Sequence, residues 1–266
     1  MKTAIHKAFV GFFHNAPEHP ENVLPKYSAV KSIRRILESK EWEKSKSHCR
    51  GLFVMSEYLA AYLRKHTDLK ISVLKHPTAP PKEKFTFAGF ANNKNQKALC
   101  VGHWMRNLHT FFRVPSKRLQ KYWLTGGAIE EDLKLAEELA TQYPGVQSLK
   151  RVPNWEYDYL LSENIVFTPL YDASANNVVV ECIVRNTPIL INKLPAITEY
   201  LGAEYPFYFE NEEEAAEKID NFDLIKATTD YLQQLDKEAL AIEKFLENFI
   251  ASEVYQSLPP NRIGLM

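Results

Sequence analysis

The chain has 266 residues, of which 45% are hydrophobic and 25% are charged. This balance is typical of a folded globular protein and excludes an intrinsically disordered chain, which would be poor in apolar residues. The 33 lysine and arginine residues equal the 33 aspartate and glutamate residues, so the chain lacks the overall basic field of a dedicated nucleic-acid-binding protein and nucleic acid is not expected as a partner.

The cysteines and the N-terminal sequence indicate the compartment. Cys49, Cys100 and Cys182 are far apart in the sequence and have the spacing neither of a disulfide framework nor of a metal site. The first residues lack the apolar segment of a signal peptide, and no run approaches the about 18 apolar residues of a membrane span. We therefore expect a cytoplasmic protein with no integral membrane segment.

The first part of the chain alternates short apolar runs with segments of helical periodicity. The runs predicted to be buried strands are residues 8–13, 51–55 and 71–74. Between the first two, apolar residues at Tyr27, Val30, Ile33 and Leu37 predict a helix. Ser56 is placed to cap a second helix after the second strand. Strands that alternate with helices are typical of a parallel sheet.

A similar alternation resumes after residues 78–97, which carry proline and asparagine clusters and are predicted to form a linker. The runs predicted to be strands are residues 98–102, 122–124, 146–152, 164–168, 188–191 and 207–209. A helix after Gly127 is expected to carry Ile129, Leu133, Ala136 and Ala140 on one face and its acidic residues on the other. Another helix is predicted over residues 178–184.

The last predicted helix, over about residues 237–254, has a strong amphipathic pattern. Its apolar residues Ile242, Phe245, Phe249 and Ile250 recur at helical spacing. We expect this stripe to be buried.

The richest chemical pattern follows the strand that ends at Thr168. Parallel sheets place ligands at the carboxyl ends of their strands, and the amides at a helix start attract phosphate. Glu181 lies one turn after Asn177 in a mostly apolar helix, where a carboxylate needs a polar partner. It can accept two hydrogen bonds from a diol such as a nucleotide ribose. The alternative is a glutamate stabilised only by the helix dipole.

The sequence from Ala175 to Gly202 resembles the donor-binding half of GT-B glycosyltransferases of the retaining group 1. The resemblance rests on Glu181-Cys182-Ile183, on residues 186–192 and on Glu199-Tyr200-Leu201-Gly202. Residues 51–59 and 75–78 are similar to the last part of that family's N-terminal domain. The resemblance implies an α/β fold of two Rossmann-like units, the N-terminal one truncated, with the last helix packing back on the first unit.

The implied domains are a shortened acceptor-side unit, a nucleotide-sugar-binding domain, and a C-terminal helix and tail that return to the first unit. Their predicted boundaries are residues 1–90, 91–235 and 236–266. The implied activity is transfer of a sugar, with retention, from a UDP- or GDP-linked donor to an unknown acceptor, which is a glycan, a lipid-linked molecule or another compound. The family seldom needs a bound metal, and no metal site is expected here.

The resemblance also assigns roles to individual residues. Glu181 matches the glutamate that holds the ribose, and His14 and Asp172 are the candidates that contact the donor sugar. Arg106 is expected to neutralise the diphosphate. The family's accompanying lysine corresponds to Phe111, which leaves Arg113 or Lys117 as substitutes. The remaining donor-binding candidates are Ser174, Asn176 and Asn177 in the loop before the helix, with Val152 and Trp155 for the base.

The short N-terminal unit leaves three explanations open: a compact natural form, a fragment, or a chain whose acceptor site is completed by a second copy or another protein. It also supports a rival function, a degenerate transferase that binds a nucleotide-sugar without catalysis or serves as a subunit of a larger transferase.

Overall fold

The computed structural model describes residues 7–17 and 32–259, which fall into two compact units. Unit 1 combines the residues before Thr78 with those from Glu238 onwards, and unit 2 runs from Thr78 to Lys237. The predicted helical residues Tyr27 and Val30 lie outside the described residues. No helix in the described ranges has the length and apolar character needed to cross a membrane.

Strands lie at all nine predicted positions. They are β1 (Phe9–Phe13), β2 (Cys49–Val54), β3 (Ile71–Val73), β4 (Lys97–Val101), β5 (Gln120–Leu124), β6 (Val146–Leu149), β7 (Ile165–Phe167), β8 (Ile189–Asn192) and β9 (Tyr208–Phe209). The α-helices are α1 (Ile33–Leu37), α2 (Lys40–Ser45), α3 (Glu57–Arg64), α4 (Phe87–Asn92), α5 (Leu108–Arg113), α6 (Glu130–Gln142), α7 (Asn154–Glu163), α8 (Asn177–Arg185), α9 (Pro195–Leu201), α10 (Glu212–Ile219), α11 (Phe222–Gln234), α12 (Ile242–Ala251) and α13 (Glu253–Gln256).

Unit 1 is built on a three-stranded parallel sheet in the order β1-β2-β3. Because successive side chains of a strand point to opposite faces, β2 serves two cores. Leu52 and Val54 pack with Leu59 and Leu63 of α3 on one face, whereas Phe53 packs on the other face. Burial on both faces explains why β2 is a continuous apolar run and not an alternating one.

The C-terminal helices return to unit 1 as predicted, and α13 makes the tightest contact. Val254 is fully buried against Phe53. Gly51 lies beneath it, and a Cβ at that position would lie 2.7 Å from Val254 Cγ2. A glycine in β2 therefore allows α13 to approach the sheet closely.

The prediction that the whole apolar stripe of the last helix is buried is wrong. In α12 only Phe245 and Phe249 pack against the sheet, with the Phe249 and Phe53 ring centroids 4.9 Å apart. Ile242 and Ile250 are 44% and 53% exposed. The helix also ends at Ala251, because Ser252 takes an extended conformation and caps α13.

Unit 2 contains a six-stranded parallel sheet in the order β6-β5-β4-β7-β8-β9. The strand order reverses between β4 and β7, and such a switch point is where open parallel sheets bind ligands. Ile165, Val166 and Phe167 of β7 are fully buried, as expected for a central strand.

The predicted linker between residues 78 and 97 contains a helix. Phe85 and Phe90 of this segment are fully buried, and the Phe90 ring lies 5.3 Å from that of Phe222 in α11. Six residues of α4 are too few for a helical repeat to stand out, and two prolines precede them. The segment is therefore part of the unit 2 core.

The aromatic contact between α12 and the sheet gives a stability prediction. Phe249→Ala should lower the free energy of unfolding by about 1–3 kcal/mol, less than the about 3–5 kcal/mol of a fully buried ring. Ile250→Ala is the matched control and should change it by less than about 0.5 kcal/mol, because that side chain is half exposed. Urea titration of both variants checks this, and equal losses would contradict the packing described.

Candidate functional site

A cleft of about 180 Å³ opens in unit 2 at the carboxyl ends of β4, β5 and β6. Its lining combines two glycines, three aliphatic side chains and several polar ones. These residues are Val101, Gly102, Leu124, Gly126, Lys150, Arg151, Val152, Asn154 and Tyr157. The two basic residues at the end of β6 give the cleft a positive rim, and the aliphatic side chains give it an apolar wall.

The loop after β4 has a shape fixed by its own hydrogen bonds. Gly102 has a φ of +78°, a conformation that favours glycine, and its carbonyl accepts from Trp123 Nε1 at 2.8 Å. Arg106 donates from Nε to the Val101 carbonyl at 2.8 Å and from Nη1 to the Trp104 carbonyl at 3.0 Å. Arg106, the residue predicted to bind the diphosphate, therefore also stabilises this loop.

A histidine–aspartate pair beside this loop escaped the sequence analysis. His103 Nδ1 lies 2.9 Å from Asp132 Oδ2, and Asp132 is only 1% exposed. The predicted faces of α6 are only partly correct: Ala136 is buried, but Ile129 and Leu133 are exposed and Asp132 faces inward. In the sequence, an aspartate in the first turn of a helix looks like an ordinary solvated acid. The role of Asp132 is shown only by its contact with His103, 29 residues away.

The loops that follow β4 and β7 are joined at the switch point of the sheet. Asn107 N donates to the Pro169 carbonyl at 2.9 Å, and Tyr171 N donates to the Met105 carbonyl at 3.0 Å. This pairing brings Arg106, which the family resemblance assigns to the diphosphate, next to the loop that carries Asp172, which the resemblance assigns to the donor sugar.

Within the second loop, polar side chains bind the backbone. Asp172 Oδ1 accepts from Ala173 N at 2.7 Å, and Ser174 is buried. Asn176 caps α8, and its side-chain oxygen accepts from Val178 N at 3.0 Å and, more weakly, from the next amide. Asn177 is the exposed first residue of α8. The predicted anion site is therefore the N-terminus of α8, which the Asn176 side chain caps.

Glu181 has a polar partner, as the sequence analysis required of a carboxylate on an apolar helix. The Tyr157 hydroxyl donates to Glu181 Oε2 at 2.5 Å. Burial and the neighbouring carboxylate raise the pKa of Tyr157 far above its usual value, so this hydroxyl keeps its proton. Because Tyr157 also lines the cleft, the pair connects Glu181 to it.

The other predicted residues are placed differently. Val152 lines the cleft, whereas Trp155 is 72% exposed. Phe111 is fully buried, and Arg113 Nη2 pairs with Glu212 Oε1 at 2.5 Å. His14 is an exposed residue of unit 1 that follows β1. Of the predicted residues, Val152 lines the cleft and Glu181 is connected to it through Tyr157, whereas Arg106 and Asp172 lie in the two loops that are joined at the switch point.

A second cleft, of about 400 Å³, lies at the carboxyl ends of β7, β8 and β9. Its lining includes Asn192 and the acidic residues Glu210, Glu212 and Glu213. Glu212 is paired with Arg113, and the carboxylates of Glu210 and Glu213 repel an anionic ligand. Of these two clefts, the one with the basic rim is therefore suited to a diphosphate.

Comparison with solved structures places the fold among GT-B glycosyltransferases. The chain is 15% identical to sucrose-phosphate synthase from Thermosynechococcus elongatus, with a TM-score of 0.64 over 91% of this chain and 68% of that one. It is 11% identical to Anabaena HepE, which was solved with UDP and glucose. The TM-score is 0.73, and the match covers 94% of this chain and 72% of HepE. For WaaG, a glycosyltransferase involved in lipopolysaccharide biosynthesis, the identity is 15% and the TM-score is 0.58. That match covers 94% of this chain and 77% of WaaG.

Two further results limit what this structural similarity shows. The chain spans between 50% and 77% of the length of the solved structures compared with it, in keeping with an N-terminal unit whose sheet has three strands. No protein-family model and no curated protein matches the sequence. The similarity therefore establishes the GT-B fold.

The buried pair beside the cleft gives a second stability prediction. Asp132→Ala should lower the free energy of unfolding by about 1–3 kcal/mol, because His103 Nδ1 loses a buried acceptor. Glu131→Ala changes the exposed neighbour and should be neutral within about 0.5 kcal/mol. Thermal unfolding distinguishes the two, and an unchanged midpoint for Asp132→Ala would mean that the pair contributes no stability.

Proposed function

We propose that the chain is a glycosyltransferase that binds a UDP- or GDP-linked sugar at the basic-rimmed cleft of unit 2 and transfers the sugar, with retention, to an acceptor. The observation that carries this proposal is the Glu181 carboxylate, which Tyr157 holds at a cleft beside the switch point of a parallel sheet. Because one fold hosts many activities, this site supports the proposed activity more specifically than the fold does.

In this proposal, residues that line the cleft contact the base, and residues beside the cleft contact the ribose and the diphosphate. The apolar side chains of Leu124 and Val152 provide a surface for the base, and Glu181 accepts hydrogen bonds from the ribose diol. Arg106 and the start of α8 face the diphosphate in this proposal. Positive charge at that point stabilises the negative charge that develops on the leaving diphosphate when the glycosidic bond breaks.

Asp172 contacts the donor sugar in this proposal, because its loop is joined to that of Arg106 at the switch point. His14 remains a candidate sugar contact from the sequence resemblance. HepE, which shares the fold, was solved with UDP and glucose, and this supports a nucleotide-sugar as the donor class.

A non-catalytic nucleotide-sugar-binding protein is the second candidate function. One observation favours it: the Arg106 guanidinium donates to two carbonyls of its own loop, so the loop has a structural use for it. A GtfA/B complex is among the solved structures of similar fold, so a subunit role is consistent with this fold. Release of free sugar or of a glycosylated product from a donor panel distinguishes an enzyme from a binder.

Glu181→Gln tests the ribose contact. A charged hydrogen bond contributes about 1.5–3 kcal/mol, so the variant should bind the nucleoside diphosphate about 10- to 100-fold more weakly. Glutamine keeps the shape and an acceptor for Tyr157, so the fold should survive. Isothermal titration measures the affinity, and circular dichroism verifies the fold. Wild-type affinity in the variant would contradict the assignment.

Arg106→Ala tests the diphosphate contact. The variant should lose affinity for UDP at least about tenfold more than for uridine, because only UDP carries the charge that the guanidinium neutralises. The two ligands are titrated against the same preparation, so any disturbance of the loop affects both. Equal losses for both ligands would show that the arginine acts only on the loop.

A further inference from the structure

Two neighbouring residues of α7 reach two residues of α8 that are one turn apart. Tyr157 donates to Glu181 at 2.5 Å, and Asp158 Oδ1 pairs with Arg185 Nη2 at 2.5 Å. Arg185 Nη1 also donates to the Glu181 backbone carbonyl at 3.2 Å. The Arg185 side chain is 8% exposed and that of Asp158 is 27% exposed, so this ion pair is a partly buried clamp between the two helices.

The two pairs differ in their relation to the cleft. Tyr157 lines the cleft, and its hydroxyl reaches Glu181, which is half-buried. A glutamate side chain has three rotatable bonds, and fixing them when a ligand binds costs conformational entropy. A carboxylate that is already fixed by a short hydrogen bond avoids much of that cost when the ligand arrives.

We infer that Tyr157 is a positioning residue for the ribose site, whose hydroxyl holds the Glu181 carboxylate in the orientation that a ribose diol requires. This inference rests on the proposed function. The hydroxyl acts through Glu181 and not on the ligand itself, and the Asp158–Arg185 pair holds the helices without setting the orientation of the carboxylate.

The test compares UDP with 2′,3′-dideoxy-UDP, and the ratio of their dissociation constants is the ribose discrimination. GDP and its dideoxy form replace them if wild type binds GDP more tightly. Tyr157→Phe keeps the ring that lines the cleft and removes only the hydroxyl. We expect it to weaken UDP binding about tenfold, which equals about 1.4 kcal/mol, and to leave dideoxy-UDP binding unchanged.

Three further variants separate positioning from a general structural role. Tyr159→Phe removes a hydroxyl from the same helix at a residue that is 57% exposed, and it should match wild type. Asp158→Asn removes the negative charge of the clamp and should lower the melting temperature while it keeps the ribose discrimination. Tyr157→Phe added to Glu181→Gln should weaken UDP binding less than about twofold further, because the two residues act as one unit.

Each contrary outcome has a distinct meaning. If wild type shows no ribose discrimination, the proposed function fails and this inference fails with it. If wild type discriminates, Glu181→Gln does not, and Tyr157→Phe behaves like wild type, only this inference is overturned. Equal losses of UDP and dideoxy-UDP in Tyr157→Phe, or lost discrimination in Asp158→Asn, would show that Tyr157 is merely structural.

Discussion

The candidate site depends on one constraint, the need of a carboxylate on an apolar helix for a hydrogen-bond donor. Glu181 lies between Val180 and Cys182, both buried, and a charge in such surroundings is costly unless it is paired. Tyr157 satisfies this need from α7. Because Tyr157 also lines the cleft, the interaction that makes the charge tolerable also places it beside the cleft.

Electrostatics then distinguishes the two clefts of unit 2. Both lie at the carboxyl ends of parallel strands, where loops are free to vary while the sheet stays rigid. Lys150 and Arg151 follow β6, whereas Glu210, Glu212 and Glu213 follow β9. The sheet alone therefore leaves the choice of anion site open, and the charges of the loops at its two sides are the reason that we propose the cleft with the basic rim.

The strands could be predicted from the sequence because burial on both faces produces continuous apolar runs. The partners of residues that are distant in the sequence could not be predicted. The sequence does not show that Asp132 pairs with His103, 29 residues away, or that the partner which Glu181 requires is Tyr157, 24 residues away. The exposure of Ile242 and Ile250 escaped prediction for a related reason. Periodicity shows which side of a helix is apolar, but not how much of that side the opposing sheet covers.

Photoaffinity labelling with 5-azido-UDP tests most directly whether the basic-rimmed cleft binds the nucleotide. Trypsin cleaves after Lys121 and Lys134, so one peptide, residues 122–134, carries Leu124 and Gly126, which line the basic-rimmed cleft and not the acidic one. The acidic cleft contributes Glu210 to a different peptide, residues 194–218. The account predicts labelling of the first peptide that excess UDP abolishes. Labelling of the second peptide, or labelling that UDP does not compete away, would contradict it.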